Sequence, residues 1–395
     1  MRNRSLTTIT ICLTAGAVAL AGCSSSKKSS TGLGGGSSSS GGSSGKTYKI
    51  GFQGALSGDN KQLGINEVNA VNLAVEQANA KGDLGFTLAV LPADDGGTKA
   101  TAPPAAAALL QDPAVIGVVG PAFSGPTQAN GPKYAAAGMA LISPSATNAT
   151  LTTSGYTTFH RIVPTDGVEG KATADFLAKK YKTVFVIDDL STYGKGVGDV
   201  VATELAAKGV KVTRQELAPT TDYSAVAQKV ASSKDQAMYY GGYDAQAGLL
   251  AKALKTANYT GYEISGNGGK SSVFSSTAGA AGNGYYFACG CLDATTAPAA
   301  AAFNTAYTAK FGTPPSTYSP EAYDATNAMI AAIKAAAAAG TVTRASVETA
   351  VNALDYQGIT TTVKFLPSGE VAQATVNLYV QKDGNIVLLG DIAKQ

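Results

Sequence analysis

The chain has 395 residues, 30 Lys and Arg against 27 Asp and Glu, one histidine and four cysteines, for a formal net charge of +3. Arg2, Arg4, Lys27, Lys28 and Lys46 all fall in the first 46 positions, which hold no acid, so the remainder carries 25 basic against 27 acidic side chains. A slightly acidic body with no basic block argues against nucleic acid as a partner, and a lone histidine leaves most acid–base and triad schemes without a part.

Arg2 and Arg4 open the chain, an apolar run follows from Leu6 to Leu20, and Leu20-Ala21-Gly22-Cys23 closes it. This is the layout of an export signal, and the run is shorter than the roughly 20 residues needed to span a bilayer. The segment resembles the lipobox of bacterial lipoproteins. The resemblance implies a signal peptide over 1–22, cleavage before Cys23, and acyl chains on its thiol and new amine. Each buried methylene contributes roughly 0.8 kcal/mol, so two or three chains form a stable anchor. Residues 23–46 are almost all Ser and Gly. They read as a flexible tether to a membrane, with Lys27 and Lys28 placed near anionic headgroups.

The body after residue 46 is long for one core, which favours two domains. Strand, helix and strand are expected at 47–55, 64–80 and 86–91. A helix at 98–111 and a strand at 115–119 follow, then a helix at 124–137 with Pro126 early, where proline is tolerated. A strand at 139–142 leads into a polar loop at 143–153. The pattern then restarts. Helices at 167–180, 194–207, 223–232 and 243–256 alternate with strands at 183–187, 211–216, 237–240 and 262–265. Short apolar strands, each followed by an amphipathic helix, predict an α/β fold with parallel sheets covered on both faces. Two runs of similar length predict two lobes. Helices at 298–311 and 320–339 and strands at 361–365, 374–381 and 386–389 are expected to complete them by crossing between lobes. The expected division is 47–164 plus 294–372 for one lobe and 165–293 plus 373–395 for the other.

Catalytic and metal signatures are incomplete. His160 sits in a predicted strand and reads as packed or hydrogen-bonded. Ser124 lacks the nucleophile-elbow spacing, with Ala122 where that motif has glycine. Gly268-Gly269-Lys270-Ser271 lacks the first glycine of a phosphate loop, with Ile264 in its place. Asp94-Asp95 reads as a strand-end pair capping the next helix. Cys289 and Cys291 are too few for a zinc site. Two states stay open for them: a local disulfide eased by Gly290, or two free buried thiols. No enzyme activity, cofactor or metal is expected.

Ligands of open α/β sheets bind beyond the carboxyl ends of the strands. Three small polar loops fall there: Gly120 to Thr127, leading into a helix N-terminus suited to a carboxylate; Ser143 to Asn148; and Thr165-Asp166-Gly167. Tyr193 and Tyr243 stand at strand-to-helix junctions of the second run. At this point the sequence resembles the solute-binding proteins of branched-chain amino-acid ABC importers. The segments are Gly54 to Gly58, Phe123 to Gln128, Ile142 to Thr147 with Leu151-Thr152, Tyr193 to Gly196, Tyr239 to Tyr243, and Tyr318 with Tyr323-Asp324-Ala325. They occur in the family's order across nearly the whole body.

The resemblance implies a two-lobed type I periplasmic-binding-protein fold with three crossovers, closing on a small solute. It assigns the ligand carboxylate to Ser124, backbone groups to Ser145, and a hydroxyl and N–H to Thr147, with Ala146 between them also in the binding set. Asp166 matches an acid near the ligand amine. Tyr193, Tyr243 and Tyr318 match cleft-lining positions, and Leu63 stands where an aromatic often caps the side-chain pocket. The glutamate that binds the ammonium in leucine-type members is matched by Asn267, and the family's disulfide positions by Gly97 and Phe123. The implied protein is a monomer that delivers a neutral aliphatic amino acid to an ABC permease. The amide at 267 keeps open an amide, urea-like or carboxylate solute, and the same fold also serves ligand sensors without transport.

Overall fold

The computed structural model describes residues 45–372 and 375–395. The leader, Cys23 and nearly all of the tether lie outside them. The first run forms β1 (Thr47–Gly54), α1 (Lys61–Lys81), β2 (Thr87–Asp94), α2 (Pro103–Gln111), β3 (Val115–Val119), α3 (Ser124–Ala136), β4 (Leu141–Ser143) and β5 (Phe159–Arg161). Its five strands are all parallel, in the order β2-β1-β3-β4-β5. Every residue of β3, Val-Ile-Gly-Val-Val, is buried, as a central strand with layers on both faces requires.

The second run forms α4 (Asp166–Lys180), β6 (Thr183–Asp188), α5 (Thr192–Ala207), β7 (Lys211–Glu216), α6 (Ser224–Ser233), β8 (Ala237–Gly241), α7 (Asp244–Thr256), β9 (Tyr262–Ser265), α8 (Ser272–Ala278) and β10 (Tyr286–Cys289). The chain continues through α9 (Ala301–Phe311), α10 (Ser319–Ala338), α11 (Arg344–Asn352), β11 (Tyr356–Gln357), β12 (Thr362–Val363), β13 (Asn377–Lys382) and β14 (Asn385–Asp391). The second sheet runs β14-β13-β10-β9-β8-β6-β7, parallel except that β13 is antiparallel to both its neighbours. Phe303, Tyr307, Met329, Ile333 and Val347 of the late helices share one core with Ile50, Phe52 and Ile116 of the first sheet. Each sheet is thus covered by helices, and the chain passes between sheets after β5, after β10 and between β12 and β13.

Several local expectations shift. Helix α2 starts at Pro103, five residues later than the pattern predicted. Pro103 and Pro104 lack N–H groups and fit only the first helical turn, so the preceding residues form turns. Asp94 and Asp95 are consequently too far away to cap it. Asp94 accepts from the N–H groups of Leu56 and Gly96, and Asp95 from Gln53 Nε2 and the N–H of Gly97. The helix expected from 298 begins as a 3-10 turn over Pro298–Ala300. His160 is packed inside, with Nδ1 donating to the Leu141 carbonyl at 3.2 Å and Nε2 beside Asn352 Oδ1. Cys289 and Cys291 form a disulfide at the end of β10, where the chain leaves the second sheet.

Candidate ligand-binding cleft

The loops that leave the carboxyl ends of β1, β3 and β4 face those that leave β6, β8 and β9. Between them lies a narrow, nearly closed crevice, lined by Leu63, Phe123, Ser124 and Ser145 from one side and Tyr193, Tyr243, Asn267 and Gly268 from the other, with Tyr318 between. The Phe123 ring packs on Tyr243 at 4.9 Å, and Tyr243 on Tyr193 at 5.3 Å, so an aromatic row bridges the lobes. Asn148 Nδ2 donates across the cleft to the Thr192 carbonyl at 2.8 Å. Tyr318 has φ of 68° where α10 begins. This left-handed backbone is uncommon for a bulky residue, and it turns the ring into the cleft at the point where the late helices join.

On the first lobe's side, Ser124 is the first residue of α3, and its Oγ accepts from the N–H of Asn148 at 3.1 Å. The hydroxyl proton is therefore free to donate, and the adjacent helix N-terminus favours an anion. Thr147 Oγ1 is buried without a hydrogen-bond partner. Ser145 differs from its neighbours. Its hydroxyl lies 2.7 Å from Glu67 Oε1 and 2.6 Å from the Ala122 carbonyl, so it is held by the scaffold. Ala146 does not line the crevice. Its N–H donates to Ser143 Oγ and its carbonyl accepts from Arg161 Nη1, so both backbone groups are engaged by the scaffold. Ala146 points into the lobe's core instead.

The acidic side is built on the first turn of α4. Thr165 caps this helix by accepting from the Val168 N–H, as N-cap threonines do. Asp166 and Glu169 follow on one face, three residues apart. Asp166 is 1 % exposed, and neither of its oxygens has a well-formed hydrogen bond. Burial pushes its pKa up to about 7, opposed by the Thr147 hydroxyl and the Arg161 charge. Glu169 is fully buried and accepts from the Asn267 N–H at 3.0 Å and from Asn267 Nδ2 at 2.8 Å. Burial pushes it up to about 8, against the Asn267 bonds and with repulsion from Asp166 added. Tyr193 OH accepts from the Gly268 N–H at 3.0 Å, while Tyr239 OH and Tyr318 OH are buried without partners.

Of the sequence-predicted residues, Ser124, Ser145, Tyr193, Tyr243, Asn267 and Tyr318 line the cavity, and Thr147 and Asp166 are buried at its edge. Leu63 also lines it. Gly97 and Phe123 are spatial neighbours: a Cβ on Gly97 would lie 2.8 Å from the Phe123 ring. Sequence reasoning missed three residues. Phe123 stood in a quoted motif but not among the site residues. Glu169 reads in sequence as an ordinary acid in a helix's first turn. Arg161 is fully buried, pairs with Glu370 at 2.6 Å and donates to the carbonyls of Ala146 and Asn148, so it sets the loop that carries Thr147. Its signal is a charge inside a buried strand.

Fold and cleft together define a two-lobed solute-binding protein. Residues 47–385 match the family model described as periplasmic binding protein, and the chain belongs to that family. It is 30 % identical to the Leu/Ile/Val-binding protein BraC3 of Rhizobium johnstonii over 346 residues, covering 86 % of this chain and 92 % of the relative. The structure of the branched-chain amino-acid transporter substrate-binding protein LivJ from Streptococcus pneumoniae, in complex with isoleucine, superposes with a TM-score of 0.78 at 27 % identity, covering 87 % of this chain and all of that one. The leucine-binding protein LivK of Thermotoga maritima shares the fold, with a TM-score of 0.79 at 23 % identity over 86 % of this chain and 97 % of that one. The family places the chain outside the cytoplasm as a solute-binding protein. No helix among the described residues is long and apolar enough to cross a membrane, and no cluster there groups three candidate metal ligands.

Proposed function

We propose that this protein binds a neutral aliphatic α-amino acid and delivers it to an ABC import permease. One observation carries the reading: the cleft sets hydroxyl donors and a helix N-terminus on one lobe against buried carboxylates on the other. Ser124 and Thr147 suit a ligand carboxylate, and Asp166 with Glu169 suits an ammonium. An α-amino acid carries both groups on one carbon. Tyr193, Tyr243, Tyr318, Phe123 and Leu63 supply apolar walls for its side chain. The relatives support this, since BraC3 is named for leucine, isoleucine and valine and LivJ was solved with isoleucine. The binding lobes are read as 47–164 plus 294–372 and 165–293 plus 373–395, and the protein as a monomer.

The same reading includes a lipid anchor at Cys23, joined to the lobes by the Ser/Gly tether. Titration calorimetry of the purified protein against leucine, isoleucine, valine, simple amides and carboxylates tests the ligand. Binding of an amide or a monocarboxylate with no binding of any α-amino acid would overturn it. For the anchor, Cys23→Ser is expected to shift the protein from the detergent phase to the aqueous phase, or to leave the signal uncleaved. Unchanged partitioning in that variant argues against lipidation.

A further inference from the structure

Asn267 faces the cleft, and its amide is held from behind. Glu169 takes both the Asn267 backbone N–H, at 3.0 Å, and the side-chain Nδ2, at 2.8 Å. The carboxylate has no cation within ion-pair distance among the described residues. Its seat is tight: a Cβ on Gly266 would lie 2.8 Å from Glu169 Oε1, 2.5 Å from Tyr193 OH and 2.8 Å from Tyr239 OH. An ionised carboxylate only accepts, whereas an amide offers donors at one end and an acceptor at the other. With Nδ2 drawn to Glu169, the Asn267 amide is oriented, and its Oδ1 has no partner among the described residues.

We propose that Glu169 is a positioning residue that holds the Asn267 amide with its oxygen toward the ligand, so that Asn267 offers an acceptor to the ammonium of the solute. A bound ammonium favours the ionised form of Glu169, whose polarity Asn267 then carries to a cleft that Glu169 does not itself line. Asp166, one turn earlier on the same face of α4, lies beside the Thr147 hydroxyl with no well-formed hydrogen bond of its own, and is left to meet the ammonium directly. The arrangement explains how an uncharged residue serves where a carboxylate is the obvious choice. This inference rests on the amino-acid reading above.

The test compares leucine with 4-methylpentanoate, its analogue without the amine, by calorimetry on the full chain in detergent. In Glu169→Gln the new amide can donate to Asn267 Oδ1, which frees the Asn267 amide to turn its NH2 to the cleft. Leucine affinity is expected to fall roughly ten- to hundredfold, the range for a lost bond to a charged group, with the analogue changed by less than about threefold. The double variant Glu169→Gln/Asn267→Glu exchanges the roles of the two side chains, with the amide now at position 169 donating to a carboxylate that faces the ligand. It is expected to recover leucine binding to within about tenfold of wild type. It also reads the pair directly should Glu169→Gln alone fail to fold. Leucine affinity retained in Glu169→Gln, equal losses for both ligands, or a double variant that does not recover leucine binding overturns the inference. A wild type that binds no α-amino acid overturns the proposed function instead, so the two failures are distinguishable.

Discussion

Ser124 illustrates how a single side chain can belong to scaffold and site at once. Its oxygen accepts from Asn148 and so fixes the loop, while its proton remains for the ligand. Ser124→Ala removes both. Amino-acid affinity should drop by roughly 1.5–3 kcal/mol, the worth of a bond to a charged group, and calorimetry that finds wild-type affinity would remove Ser124 from the site. Arg161 has no direct ligand role in this arrangement. It is fully buried, and its charge is matched by Glu370 and by two carbonyls of the loop that carries Thr147. Arg161→Met should destabilise the fold by roughly 3–5 kcal/mol, because breaking a buried pair strands its partner. Denaturant melts showing less than about 1 kcal/mol would mean the pair is solvated, as surface ion pairs are.

At the scale of elements, two helix starts of the second lobe meet beside the cleft. Helix α4 offers Asp166 and Glu169 in its first turn, and α5 passes Gly196 alongside. A Cβ at Gly196 would lie 2.4 Å from Asn148 Nδ2 on the opposite lobe and 3.2 Å from Asp166 Oδ2. The glycine therefore lets the lobes close, and its own helical backbone does not require one. Gly196→Ala is expected to fold normally, gaining a few tenths to about 1 kcal/mol in helix propensity, yet to bind more weakly because the added methyl props the lobes apart. Small-angle scattering should show the contraction on leucine binding in wild type and a smaller one in the variant. Full contraction with unchanged affinity would show that Asn148 gives way.

Across the whole molecule, buried carboxyls make stability depend on pH. Burial raises Asp95, Asp189 and Asp244 to about 6, Asp166 and Glu321 to about 7, and Glu169 and Glu263 to about 8. Unfolded carboxyls ionise near pH 4. Between that range and 6 to 8 the folded protein holds more protons than the unfolded chain, so the stability these groups contribute is present in acid and lost as pH rises. The lowered surface acids, such as Asp112 beside Lys49, act below this window. Without ligand, Tm should fall from pH 5 to pH 8. A saturating ammonium-bearing ligand should narrow the difference, since it favours the ionised forms of Asp166 and Glu169. A Tm that rises over this interval would contradict the assigned burial.

Much of this was legible in the chain because it is encoded locally. Unalternating apolar strands such as Val115–Val119 report a sheet covered on both faces, and the ordered loops at 123–128, 142–147 and 193–196 place their residues at strand ends, where the open α/β topology gathers them. The sequence by itself determined two α/β runs and the residue types that face each other. Tertiary structure alone decided three further points. It bonded Cys289 to Cys291, a pairing that spacing left open. It spent the polar groups of Ala146 on Ser143 and Arg161, because a loop's hydrogen bonds depend on what packs beneath it. It also brought Glu169 to Asn267, 98 positions apart. An acid in a helix's first turn looks the same in sequence whether it faces water or a cleft, and only the packing of α4 beside the loop that leaves β9 sets which of its neighbours it orients.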